Sequence, residues 1–160
     1  MLKLEYGNKM KRETLYLDTS VISAYYDERA KERRAATIAF WEDVVPNYKV
    51  FVSEITVNEL EDTKDEALKK KFRKLVEDCS ILKINNKVGA LADAYIKHGV
   101  FPEKYIDDAL HVAIATFHDI SYLISWNFEH LVKVKTRKTV NLVNILEGYK
   151  EIEIVSPQEL

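Results

Sequence analysis

Apolar residues recur along the chain in two rhythms. Short, mostly apolar runs occupy Leu15–Leu17, Tyr48–Val52, Ile81–Ile84, Ser121–Ser125 and Ile152–Val155. Runs of this length read as strands, buried on both faces where they are unbroken. The intervening stretches carry helical spacing. Val21–Tyr26 predicts a short helix, and the charge-dense Asp27–Arg34 a solvated connection. Ala35–Val45 predicts a helix whose apolar face is Ala35, Ile38, Ala39 and Val45, with Trp41 near it, stopping at Pro46. Ser53 can cap a short helix carrying Ile55, Val57, Glu59 and Leu60. Asp62–Asp78 is amphipathic, with Ala67, Leu68, Phe72, Leu75 and Val76 on its apolar face. Val88–His98 repeats the pattern and closes at Gly99, where a left-handed C-cap belongs. Ile106–Phe117 has almost no polar side, which predicts a helix buried nearly all round. Trp126–Val134 reads as a turn and short helix, Val140–Leu146 as a helix ending at Gly148, and Pro157 stops the last strand. Strands alternating with helices predict an α/β fold: three α/β/α layers around a central, mostly parallel sheet of four or five strands.

A chain of 160 residues suits one domain with a sizeable core. Residues 1–13 have weak periodicity and read as an N-terminal extension, with Met10 a second candidate start; 14–160 is the expected domain. Net charge is -2, so bulk electrostatics does not announce a nucleic-acid binder. Such a partner would have to be held by local basic patches or through metal ions. The one cysteine, Cys79, cannot form an internal disulfide and points to a reducing, cytoplasmic setting. The first residues contain no apolar core of a signal peptide, and no apolar run reaches the ~18 residues needed to span a bilayer. No membrane partner is expected.

The chemistry gathers where strands end. Asp18 follows the first buried run directly, and Thr19 and Ser20 follow it at the start of the next helix. Open α/β sheets place their sites in this crevice. Asp18 could equally be only the helix cap. Glu59 lies in the helix after the second strand, Asp107 and Asp108 open the buried helix, and Asn127 follows the fourth strand. Asp108 stands closest to an apolar core, where a carboxylate is costly unless paired or metal-bound; the helix N-terminus helps keep it ionised. Carboxylates converging at one sheet edge repel, and a divalent cation relieves this. Oxygen ligands without a His/Cys cluster favour Mg²⁺ or Mn²⁺ over Zn²⁺. Such ions align a water against a phosphodiester and shield a polyanionic substrate from an acidic site.

Four segments together resemble the PIN domain of metal-dependent ribonucleases, including the toxin half of VapC-type toxin–antitoxin pairs. They are Leu15-Tyr16-Leu17-Asp18-Thr19-Ser20, Ile55-Thr56-Val57-Asn58-Glu59-Leu60, Asp108-Ala109-Leu110-His111-Val112-Ala113-Ile114-Ala115 and Leu123-Ile124-Ser125-Trp126-Asn127. The tail through Gly148-Tyr149 and Ile152–Leu160 is similar to one PIN subgroup. The resemblance implies an α/β/α fold, a Mg²⁺ or Mn²⁺ cofactor held by Asp18, Glu59 and Asp108, endonucleolytic cleavage of RNA, frequent homodimers and a cognate antitoxin. Many PIN nucleases carry an aspartate where this chain has Asn127, which adds no negative charge. Asp107 or Glu129 could supply it.

Other residues have competing readings. His111, one turn after Asp108, contacts substrate, orients a carboxylate, or is a hydrogen-bonded core histidine. Thr19 and Ser20 bind a metal-bound water or merely cap a helix. The Lys69-Lys70-Lys71 cluster with Arg73-Lys74 reads as a solvated helix face. Lys133, Lys135, Arg137 and Lys138 follow the fourth strand closely enough to contact phosphates beside the site. Trp41 and Trp126 are core residues or base platforms, Trp126 being the better placed for RNA. A haloacid-dehalogenase-like phosphatase would need an aspartate where Ser20 stands, and a receiver domain an acidic pair after the first strand. A catalytically weak or inactive PIN-like scaffold binding RNA or protein is the alternative that Asn127 supports.

Overall fold

Strand β1, Thr14–Leu17, runs through the middle of the sheet and is enclosed on both sides in a computed structural model that describes residues 12–160. Most of the expected N-terminal extension lies outside the described residues. The other strands are β2 (Lys49–Ser53), β3 (Ser80–Leu82), β4 (Tyr122–Ile124) and β5 (Glu153–Val155). The helices are α1 (Thr19–Tyr25), α2 (Lys31–Asp43), α3 (Glu54–Glu61), α4 (Glu66–Leu75), α5 (Asn86–Lys97), α6 (Ile106–Phe117) and α7 (Val134–Leu146). The sheet is five-stranded, in the order β3-β2-β1-β4-β5, and every pairing is parallel.

Alternation along β1 divides the core. Leu15 and Leu17 point to one face, where they join Val52 and Ile124 against residues of α1, α2 and α4. Tyr16 points to the other, joining Leu123 and Ile154 against α5, α6 and α7. The first half of the chain thus covers one face and the second half the other. The direction of strand addition reverses between β1 and β4, so their carboxyl ends flank the switch point where α/β sheets carry their sites.

Helix ends follow the sequence signals. Ser53 accepts the N–H groups of Ile55 and Thr56, Asp65 those of Ala67 and Leu68, and Asn85 that of Val88. Gly99, at φ 75°, closes α5: its own N–H reaches Ile96 O while Val100 N–H reaches Tyr95 O.

Three expectations are corrected. The buried residues of α2 are Thr37 and Phe40, while Ala35 and Ala39 are exposed. Thr37 stays inside because its hydroxyl donates to Arg33 O and accepts the Trp126 indole N–H. Residues 126–133 form turns rather than a short helix. Helix α7 begins at Val134, so the basic run forms its first turns instead of preceding it.

Candidate functional site

Asp18 sits two residues beyond Tyr16 and continues the ladder, its N–H donating to Ile124 O at 3.2 Å. It also caps α1: Oδ1 accepts the Ser20 N–H at 3.1 Å and the Ser20 hydroxyl at 2.5 Å. Its Oδ2 accepts the Ser125 hydroxyl, from the end of β4, at 2.5 Å. The cap and the site are therefore one residue. Burial pushes the Asp18 carboxyl above the ordinary carboxylate range, offset in part by the charge of His111 and by the Ser125 and Ser20 bonds.

Glu59, on α3, accepts from His111 Nε2 at 2.6 Å. Burial opposes its ionisation, but the hydrogen bond and charge of His111 prevail and hold it below the ordinary range. Asp108, in the first turn of α6, is bonded through Oδ2 to His130 Nδ1 at 2.9 Å. Burial raises its carboxyl, the His130 bond and charge oppose the rise, and Glu59 adds to it. His111 lies among all three acids. Burial disfavours its protonation, yet the Glu59 bond and the charges of Asp18, Glu59 and Asp108 outweigh burial and lift its pKa. His111 thus bonds Glu59 directly and is influenced electrostatically by Asp18 and Asp108.

The other candidates divide. Thr19 Oγ1 is buried and makes no hydrogen bond, although it lies close enough to Glu59 to favour that carboxylate. Asn127 organises the turn after β4: its side-chain oxygen accepts His130 N–H at 2.9 Å, and its backbone N–H donates to Ser125 Oγ at 2.9 Å. Asp107 and Glu129 are exposed and hydrogen-bond none of the three acids. Trp126 does not offer a base platform. It is 6% exposed, and its indole N–H donates to Thr37. Lys133, Lys135 and Lys138 are exposed, whereas Arg137 reaches Ile154 O and pairs with Glu159 at 3.6 Å. In the α4 cluster, Arg73, paired with Glu61, lies on a solvated face as expected, whereas Lys69, paired with Glu66, has a side chain only 14% exposed.

Sequence reasoning missed Tyr16, Ser53, Ser125 and His130 as members of the site. A tyrosine in a doubly buried strand needs a partner for its hydroxyl, and that was the available signal. The Tyr16 hydroxyl lies 2.7 Å from Ser53 Oγ and 2.5 Å from His111 Nδ1. His130 carried no periodic signal. It is half-buried in a turn, with the Tyr105 ring 4.0 Å from its own between centroids.

All-oxygen donors in Asp18, Glu59 and Asp108, beside the orphaned Thr19 hydroxyl, suit a hard dication in their chemistry. As placed, each acid is engaged by a different partner. Among the described residues, no three His, Cys, Asp or Glu side chains stand close enough together to hold a metal ion.

The family model described as the PIN domain matches residues 15–129. No curated protein matches the sequence. Among solved structures, the chain resembles FitAcB from Neisseria gonorrhoeae at TM-score 0.58 and 19% identity, covering 91% of this chain and 99% of that one. It resembles VapBC-1 from nontypeable Haemophilus influenzae at TM-score 0.59 and 18% identity, covering 91% and 98%. VapBC-5 from Mycobacterium tuberculosis, a member of the VapBC family of toxin–antitoxin systems, aligns at TM-score 0.52 and 18% identity, covering 89% and 98%. At such identities the likeness is one of fold, and it agrees with the family match, which spans all three acids. The chain belongs to the PIN domain family.

Proposed function

We propose that this protein is a Mg²⁺- or Mn²⁺-dependent endoribonuclease, with Asp18, Glu59 and Asp108 as the residues that would hold the metal. The observation that supports this reading is the 2.6 Å bond between Glu59 and buried His111, whose charge is also influenced by Asp18 after β1 and Asp108 on α6. PIN family membership supports nuclease chemistry. A bound dication would supply an activated water and offset the charge of a phosphodiester. The chain's own residues do the rest. Ser20 and Ser125 fix Asp18, His111 fixes Glu59, and His130 fixes Asp108. Asn127 shapes the turn that carries His130. Lys133, Lys135 and Lys138, exposed at the start of α7, are the phosphate contacts.

Among the resembling structures are VapBC-1, VapBC-5 of the VapBC family of toxin–antitoxin systems, and a toxin–antitoxin complex from Klebsiella pneumoniae. On that likeness the protein is the cytoplasmic toxin of a type II pair, restrained by a cognate antitoxin. It acts as a homodimer. The exposed apolar residues Leu142, Ile145 and Leu146 on α7 support a protein-covered face.

Cleavage of RNA by purified protein, with and without Mg²⁺, tests the reading. Asp18→Asn and Asp108→Asn should each abolish Mg²⁺-dependent cleavage while leaving the circular dichroism spectrum intact; undiminished cleavage by either variant would refute it. The second reading, a catalytically weak scaffold that binds RNA or protein, is favoured by Asn127, whose amide oxygen is occupied in a turn and brings no charge. RNA binding without Mg²⁺-dependent cleavage by the wild-type protein would select it.

A further inference from the structure

Tyr16 and His111 lie fully inside the protein, yet both are polar. A phenylalanine and a leucine would fill similar space without the cost of burying a hydroxyl and an imidazole. Their hydrogen bonds form a continuous path. Ile55 and Thr56 N–H donate to Ser53 Oγ at 3.1 and 3.4 Å. Ser53 Oγ lies 2.7 Å from the Tyr16 hydroxyl, which lies 2.5 Å from His111 Nδ1. His111 Nε2 lies 2.6 Å from Glu59 Oε1.

Donor chemistry fixes one end of this path. A carboxylate only accepts, so His111 Nε2 carries the proton it shares with Glu59. Nδ1 bonds the Tyr16 hydroxyl, accepting its proton in the neutral imidazole and donating to its oxygen in the imidazolium. The Tyr16 hydroxyl bonds Ser53, whose oxygen takes the backbone N–H groups at the start of α3. The bonds link the N-terminus of α3, through β1 and α6, to Glu59 on α3. Those three elements are the ones that carry the acids: Asp18 follows β1, Glu59 lies in α3, and Asp108 opens α6.

We propose that Tyr16 and His111 are positioning residues for the dication site, bracing the three acid-bearing elements against one another and fixing the Glu59 carboxylate before a metal arrives. This rests on the metal-dependent reading above. Outer-shell partners of this kind commonly change metal affinity about 10- to 100-fold when removed. The His130–Asp108 pair has no comparable backing, since His130 is half-buried and packs against the Tyr105 ring.

The test is Mn²⁺ titration calorimetry on the full chain, beside thermal unfolding without metal. Tyr16→Phe removes one hydroxyl, His111→Leu removes the whole link, and His111→Gln retains a donor toward Glu59. Tyr16→Phe and His111→Leu should weaken Mn²⁺ binding about 10- to 100-fold, and His111→Gln should weaken it less than His111→Leu. In a Glu59→Gln background, Tyr16→Phe should cause no further loss, because the carboxylate it positions is gone. A purely structural role would give the same loss with and without that carboxylate. If His111→Leu fails to fold, Tyr16→Phe and its double variant decide the matter. Wild-type affinity in folded Tyr16→Phe, or an equal loss in the Glu59→Gln background, would overturn this inference alone. Failure of the wild-type protein to bind Mn²⁺ would overturn the metal-dependent reading and this inference with it.

Discussion

Ser125 Oγ lies 2.5 Å from Asp18 Oδ2, so the carboxyl ends of β4 and β1 are tied by one hydroxyl at the switch point of the sheet. Ser125 also accepts the Asn127 N–H at 2.9 Å, which couples the turn after β4 to the same contact. Ser125→Ala leaves a buried carboxylate oxygen and a backbone N–H without this partner. Each such loss costs about 1–3 kcal/mol. The variant should unfold in urea with stability lowered by at least about 1 kcal/mol, and its m-value should be unchanged. Wild-type stability would show that Asp18 is satisfied without this bond.

Metal affinity should depend on pH beyond the ordinary carboxylate range. Burial raises Asp18 and Asp108, so in the absence of metal both carboxyls hold protons at higher pH than an exposed aspartate does. A dication binds the ionised forms and displaces those protons. The sign is therefore positive: Mn²⁺ affinity rises with pH, over a range displaced upward from that of an exposed carboxylate. Titrations in buffers of different ionisation enthalpy should reveal proton release on binding. An affinity whose pH dependence matches that of an exposed aspartate, with no upward displacement, would contradict the shifts.

Much of this arrangement was legible because hydrophobic period changes at the residues that matter. Asp18 marks the join of a buried strand and a helix, Glu59 lies in the helix directly after β2, and Asp108 opens the most apolar helix. What escaped notice shares one cause, polar residues made core-compatible by distant partners. Thr37 and Trp126 satisfy each other inside α2's buried face, so counting apolar residues put that face on Ala35 and Ala39 instead. Buried Thr136 carries the inner face of α7's first turn, which hid that turn from the same count. Tyr16 finds His111 across 95 residues, and His130 finds Asp108 across 22. No local pattern encodes such pairings.

The basic run should separate by position. Lys133, Lys135 and Lys138 are exposed, while Arg137 is engaged by Ile154 O and Glu159. Lys133→Ala with Lys135→Ala should weaken binding of single-stranded RNA and flatten its salt dependence by ~0.7 in log–log slope per lost phosphate contact. Arg137→Ala should mainly lower stability. Fluorescence anisotropy over a salt series measures the first, and an unaltered slope would remove these lysines from the interface.

Helix α7 presents Leu142, Ile145 and Leu146 at 61%, 58% and 71% exposure. Three large apolar side chains spaced this way form one face, and such faces mark association sites. Leu142→Glu with Ile145→Glu should convert a homodimer into a monomer in sedimentation velocity, without loss of helical signal. A wild-type monomer at high protein concentration, or a dimer indifferent to both changes, would rule out this surface.

The central claim is that Asp18, Glu59 and Asp108 together hold one hard dication. Anomalous diffraction from crystals grown with Mn²⁺ tests it most directly. The account predicts a manganese peak bonded by oxygens of Asp18 and at least one of the other two acids, lost in Asp18→Asn crystals. Mn²⁺ bound elsewhere, or the three carboxylates still bound to Ser125, His111 and His130 with no metal among them at saturating Mn²⁺, would contradict it.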